Sequence, residues 1–174
     1  MLELCASSLA GTHAIAAALA KLSRPGDLIL LSGEMGAGKT AFAQGFGRSL
    51  GITEPITSPT YTLVHSYEIT PEPLPGDKGV RGQNQMMLHH ADLYRLNRTA
   101  EVADLALEEL AEYAGIVLVE WGDVADSLFG DHLLVHLEPD LEVEDARVVD
   151  ISAAGARWAA RWARLEEVCE EFRC

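Results

Sequence analysis

The chain has 174 residues, enough to bury a sizeable core without disulfides, and one domain is expected. Its 13 basic residues against 27 acidic ones give a net charge of −14. That balance argues against direct, tight binding of DNA or RNA, because phosphate neutralisation needs a basic patch.

No apolar run approaches the ~20 residues of a membrane span. Met1-Leu2-Glu3-Leu4 lacks the basic start and long apolar stretch of a signal peptide, so a cytoplasmic protein is the simplest reading. Cys5, Cys169 and Cys174 show no CxxC spacing. They are expected to be three reduced thiols, with no cysteine zinc site.

In chain order, Leu2 to Cys5 suits a short strand. Ser7 and Ser8 are helix-capping types, and Ile15, Leu19 and Leu22 form a helical stripe behind them. After the turn Pro25-Gly26-Asp27, the apolar run Leu28 to Leu31 predicts a strand buried on both faces. A glycine-rich loop follows at once. Phe42, Phe46 and Leu50 then recur at helical spacing, with Gly51 placed to end that helix. Alternating apolar residues at Tyr61, Leu63, Tyr67 and Ile69 predict a strand. Residues 70–85 carry three prolines and three glycines and are expected to be a flexible loop. Met86-Met87-Leu88 opens another strand running toward Asp92.

A helix from about Ala100 to Tyr113 is expected to start at Thr99 and stop at Gly115. Ile116 to Val119 reads as a second buried strand, ending in Glu120-Trp121. Two strands, Leu133 to Leu137 and Arg147 to Ser152, flank an acidic turn and are expected to extend the sheet in antiparallel fashion. Trp158, Trp162, Leu165, Cys169 and Phe172 predict a final helix with one apolar face. Strands thus alternate with helices. The expected architecture is α/β, a three-layer α/β/α P-loop NTPase with a mixed, largely parallel central sheet.

The strongest signal is Gly33-Glu34-Met35-Gly36-Ala37-Gly38-Lys39-Thr40, which matches G-x-x-x-x-G-K-[ST] between a strand and a helix. Glycines open backbone angles closed to other residues, and the loop N–H groups converge on an anion at a helix N-terminus. This loop, with the following Ala41, predicts binding of a nucleoside triphosphate. Lys39 would reach the β- and γ-phosphates, and Thr40 would give its hydroxyl to Mg²⁺.

Such a site needs an acid at a neighbouring strand end. Glu120 and Asp92 qualify. Glu120 is assigned to the metal and Asp92 to the metal or the attacking water, and the two roles are exchangeable. With Lys39 they form the candidate catalytic set. In Ser58-Pro59-Thr60, Thr60 is either a switch hydroxyl sensing the γ-phosphate or a capping residue of a turn. Arg95 and Arg98 either neutralise transition-state charge or pair with surface acids. His89 and His90 should face opposite sides of a strand, which argues against zinc.

These strings, with Thr57-Ser58-Pro59-Thr60-Tyr61-Thr62-Leu63-Val64, His90-Ala91-Asp92-Leu93-Tyr94-Arg95-Leu96 and Val119-Glu120-Trp121, resemble the TsaE (formerly YjeE) family of tRNA threonylcarbamoyladenosine biosynthesis. The resemblance runs along nearly the whole chain. It implies ATP, Mg²⁺ held by Thr40 and Glu120, and slow hydrolysis that depends on the TsaB–TsaD heterodimer, with tRNA engaged only indirectly. It implies a required role for Asp92, and an adenine pocket drawn from the start of the first helix, where Thr12 is the candidate, and from the C-terminal part of the domain. Ser58, Thr60, Tyr94, Arg95 and Trp121 are the candidates for sensing nucleotide or partner. The chain departs from the family's usual Gly-Asp-Leu-Gly at Gly33-Glu34-Met35-Gly36, and 70–85 is longer than the usual connection. A small-molecule kinase and a nucleotide-gated binding module are the competing readings. A kinase usually has an Arg-rich lid, which the chain lacks.

Overall fold

The structure is a computed structural model that describes residues 1–69, 86–96 and 99–174. The expected loop 70–85 and Arg98 lie outside the described residues.

Strand β1 (Leu2–Ala6) leads into helix α1 (Leu9–Leu22), which starts where the Ser8 side chain accepts from the Gly11 N–H at 3.2 Å. Strand β2 (Leu28–Ser32) is buried at every position, as its unbroken apolar run requires. Helix α2 (Lys39–Ser49) follows the glycine loop, and Gly51 takes φ +81° just past its end. Strands β3 (Val64–Glu68) and β4 (Met87–Asp92) are followed by α3 (Thr99–Ala103), α4 (Leu107–Glu112) and β5 (Gly115–Glu120). Strands β6 (His132–Pro139) and β7 (Arg147–Ala154) precede the last helix, α5 (Trp162–Val168).

The seven strands of the described residues form one mixed sheet in the order β1-β7-β6-β2-β5-β4-β3. The four central strands β6, β2, β5 and β4 run parallel. β3 pairs antiparallel with β4, and β7 antiparallel with both β6 and β1. Only β7 of the C-terminal pair therefore extends the sheet in antiparallel fashion; β6 joins β2 in parallel. One face packs α1, α2 and α5 against Ile29, Leu31, Ile116, Leu118 and Val135. The other packs α3 and α4 against Leu28, Leu30, Val117 and Val119. Helices thus cover both faces of the sheet, as buried parallel strands demand.

Local geometry departs from the sequence pattern in five places. β3 begins at Val64, because the Leu63 N–H folds back to the Pro59 carbonyl at 2.7 Å and Leu63 takes φ +67°. That turn leaves Tyr61 84% exposed. The helix expected over 100–113 breaks at Ala106, with φ +50°, and the break lets Val102 and Leu107 both reach the core. Ala114, with φ +59°, makes the turn assigned to Gly115. Gly115 instead opens β5, where a Cβ would stand 2.3 Å from the Leu110 carbonyl oxygen. The last helix is segmented into 3₁₀ turns at Ala159–Arg161 and Glu170–Phe172 around α5, although Trp158, Leu165 and Cys169 are buried as expected.

Finally, Cys5 and Cys174 form a disulfide, and Cys169 is a buried free thiol. Leu4 bridges to Arg173, which sets the C-terminal residue beside β1. No helix of the described residues is long and apolar enough to cross a membrane.

The C-terminal segment is tied to the start of β2 by a buried ion pair. Asp27, 1% exposed, accepts from Arg161 at 2.6 and 2.7 Å and from the Arg24 N–H at 2.7 Å. Removing one partner strands a buried charge. Asp27→Ala should therefore lower unfolding stability by about 3–5 kcal/mol, read from urea titration. The paired change Asp27→Leu with Arg161→Met should cost less than either loss alone, and equal costs would contradict the pairing.

Candidate functional site

β2 ends at Ser32, and the chain turns away through residues that only glycine accommodates. Gly33 takes φ +130°, and a Cβ there would lie 2.3 Å from the Leu137 carbonyl oxygen. Gly36 and Gly38 take φ +81° and +108°. The loop closes on itself through Lys39, whose Nζ donates to the carbonyls of Gly33 at 2.7 Å and Glu34 at 2.8 Å. The same ammonium lies 3.9 Å from the centroid of Trp121. Lys39 is 5% exposed. Burial lowers its pKa, and the negative charges of Glu120, Asp123 and Asp92 oppose that fall.

Parallel pairing carries the acids to this loop. Leu31 is in register with Glu120, and Glu120 with Asp92, so three strand ends stand side by side. Thr40, in the first turn of α2, donates its hydroxyl to Glu120 Oε1 at 2.9 Å and Oε2 at 3.2 Å. The fully buried His90 pairs its Nε2 with Glu120 Oε1 at 2.8 Å. A carboxylate at that distance calls for the N–H tautomer at Nε2. His89 points elsewhere, to Ser66 Oγ at 2.8 Å.

Asp92 gathers the loop that follows α2. Its Oδ2 accepts from Ser58 at 2.7 Å and Thr60 at 2.8 Å, and its Oδ1 from the Tyr94 N–H at 2.8 Å. Tyr94 packs against Trp121 with ring centroids 5.0 Å apart. Trp121 takes φ +60° at the turn out of β5, where Gly122 lies too close to Leu30 for any Cβ.

Together these groups line a cleft of about 320 Å³. Met35, Gly36, Gly38, Lys39, Thr40 and Ala41 form one wall, and Ser58, Thr60, Asp92, Tyr94, Glu120 and Trp121 the other. Gly33, Glu34 and Ala37 belong to the loop's supporting side. Arg95 stacks on Tyr61 at 4.2 Å, outside the lining. Thr12 is 2% exposed in the first turn of α1, with its hydroxyl 3.5 Å from the Ser8 carbonyl, and does not line the cleft.

Two contacts have no counterpart in the sequence reading. His90 supports Glu120; its place two residues before Asp92 on a buried strand was the available signal. Arg147 donates from Nε to the Ala37 carbonyl at 2.8 Å, from a strand 110 positions away, and no local pattern marks it.

The family model described as "Threonylcarbamoyl adenosine biosynthesis protein TsaE" matches residues 6–149. The chain belongs to the TsaE family. It is 34% identical over 162 residues to the Bacillus subtilis "tRNA threonylcarbamoyladenosine biosynthesis protein TsaE", covering 92% of this chain and 87% of that one. The Streptomyces coelicolor protein of the same description is 35% identical over 145 residues, 81% of this chain and 89% of its own. The crystal structure of Bacillus subtilis YdiB superposes with a TM-score of 0.61 at 28% identity, covering 98% of this chain and 92% of that one. The TsaE matches thus span the loop, both acids and the sheet that aligns them.

The glycines should not be equivalent. Gly33→Ala meets both a forbidden φ and the Leu137 carbonyl, whereas a Cβ at Gly36 meets nothing within 4 Å. Gly36→Ala should cost about 1–2 kcal/mol in backbone strain alone, and Gly33→Ala clearly more. Urea midpoints of the two variants check this, and equal midpoints would refute the tight placement of Gly33.

Proposed function

We propose that this chain binds ATP with Mg²⁺ in the cleft and hydrolyses it slowly. In this reading it is an accessory subunit of tRNA N6-threonylcarbamoyladenosine formation and acts on a TsaB–TsaD pair. The observation that carries the reading is the convergence of Thr40, Glu120 and Asp92 on one cleft, facing a glycine loop at a helix N-terminus.

The loop's Gly38, Lys39 and Thr40 N–H groups donate to no protein acceptor among the described residues, so they are open to an anion. Lys39 would exchange its two carbonyl partners for phosphate oxygens, a charge-assisted bond of greater strength. The Thr40 hydroxyl and the Glu120 carboxylate are hard oxygen donors, which fit Mg²⁺. Glu120 Oε1 takes both short contacts, from Thr40 and His90, so Oε2 is the freer oxygen on the cleft. Mg²⁺ held there by Thr40 and Glu120 would supply positive charge against the negative charge of the phosphates. Asp92 stands across the cleft as an acceptor that can orient a water. Attack of that water on the γ-phosphorus would break the bond to the bridging oxygen, which leaves with ADP, and the water's proton would pass to a phosphate oxygen, giving ADP and inorganic phosphate.

The partner reading draws on the family and on the cleft's mouth. Ser58 and Thr60 hold Asp92, and Tyr94 and Trp121 close the rim. A change at the γ-phosphate would therefore be felt at the surface beside Tyr61 and Arg95. The net charge of −14 agrees with leaving the tRNA to the partners.

Lys39→Ala should weaken ATP binding by about 2–3 kcal/mol in calorimetry, and unchanged affinity would contradict the site. Asp92→Ala should retain ATP binding but lose the turnover that TsaB–TsaD stimulates. Pull-down with TsaB–TsaD, run with ATP, with ADP and without nucleotide, should favour the ATP state. Retention that ignores nucleotide would sink the partner role. Strong partner-free phosphorylation of a metabolite would point to a kinase instead.

A further inference from the structure

Arg147 opens β7 and reaches the back of the glycine loop. Its Nε donates to the Ala37 carbonyl at 2.8 Å and its Nη1 to the Ala146 carbonyl at 2.7 Å. Among the described residues these are its hydrogen-bond acceptors, and it forms no ion pair. In a chain with 27 acidic residues, a half-buried guanidinium without a carboxylate keeps its charge for something else.

The contact also fixes a direction. In a trans peptide the C=O and the N–H point opposite ways. With the Ala37 carbonyl turned to Arg147, the Gly38 N–H points away from it. Arg147 approaches from the β7–β6 side, while the acids of the cleft come from β5 and β4 on the other side of β2. Away from Arg147 is therefore into the cleft. Gly38, at φ +108°, has no Cβ to hold this peptide in place. The flipped peptide would aim a carbonyl oxygen where phosphate must sit.

The geometry points to Arg147 as a positioning residue that locks the Ala37–Gly38 peptide with its N–H toward the bound phosphates and adds a positive charge behind the loop. This rests on the nucleotide reading above. The lock acts on the loop, so ATP and ADP, which share the α- and β-phosphates the loop cradles, should feel it alike.

The test uses the full chain as wild type, Arg147→Met and Arg147→Lys. ATP and ADP binding are measured by calorimetry, stability by urea, and the Gly38 amide by ¹H–¹⁵N spectra without nucleotide. Arg147→Met should weaken ATP and ADP by the same factor, on the order of tenfold. Its Gly38 resonance should move while the urea midpoint stays near wild type. Arg147→Lys, which keeps the charge and one donor, should fall between. Wild-type affinity in Arg147→Met overturns the lock. So does an affinity loss matched by a fallen urea midpoint with an unmoved Gly38 resonance, which marks a merely structural arginine. A wild-type chain that binds neither nucleotide overturns the nucleotide reading itself and, with it, the anion role of Arg147.

Discussion

The hydroxyl of Thr40 donates to Glu120, and that bond joins the two halves of the site: the helix that follows the loop and the strand end that carries the acid. Glu120 is 3% exposed, so its buried carboxylate needs hydrogen-bond partners in place of water. Thr40 and His90 supply them, and the Leu93 N–H takes the Glu120 carbonyl at 3.0 Å. None of these contacts would form without the register of β2, β5 and β4, which ends three parallel strands at one edge. That edge, where the chain leaves neighbouring strands in different directions, is where open α/β sheets make their clefts.

Much of this was legible from residue patterns because the forces concerned are local. The run Leu28 to Leu31 is a buried strand in any sheet of this class, and the glycine spacing between a strand and a helix marks the loop by itself. Glu120 and Asp92 were legible as strand ends for the same reason. What escaped had long-range causes. The split of the 100–113 segment at Ala106 follows from the need to bury Val102 and Leu107 on one sheet face. The Leu63 turn breaks an alternation that continues on paper, because a residue with φ +67° resets which side chains face the core. The bond of Cys5 to Cys174 joins positions 169 residues apart, and Arg147 meets Ala37 across 110. Spacing carries no information at such separations.

The charge distribution sharpens the same contrast. The chain is strongly acidic, yet the glycine loop has a cation on each side: Lys39 inside and Arg147 behind. Lys39 is held at the loop by backbone carbonyls and by the Trp121 ring rather than by a direct ion pair among the described residues. Carbonyls and a ring face are weaker partners for an ammonium than a carboxylate in contact. On the proposed reading, an incoming phosphate could therefore compete for Lys39 without first breaking a salt bridge. The neighbouring carboxylates of Glu120, Asp123 and Asp92 still favour its charged form against the cost of burial.

Asp92 is arranged by the same logic. An ionised carboxylate offers about four lone-pair sites, and three are occupied here, by Ser58, Thr60 and the Tyr94 N–H. Among the described residues one acceptor site remains, on Oδ1, the oxygen that the two hydroxyls do not use. On the proposed reading that site can hold a water without releasing the Ser58–Thr60 loop. The hydroxyls then act as the orienting shell of Asp92, and water positioning and loop order become one event. A partner that presses on the Ser58–Thr60 loop would reach the water through a single carboxylate, with no rearrangement of the sheet. On that reading the coupling between surface and chemistry would be short: two hydroxyls, one carboxylate and one lone pair.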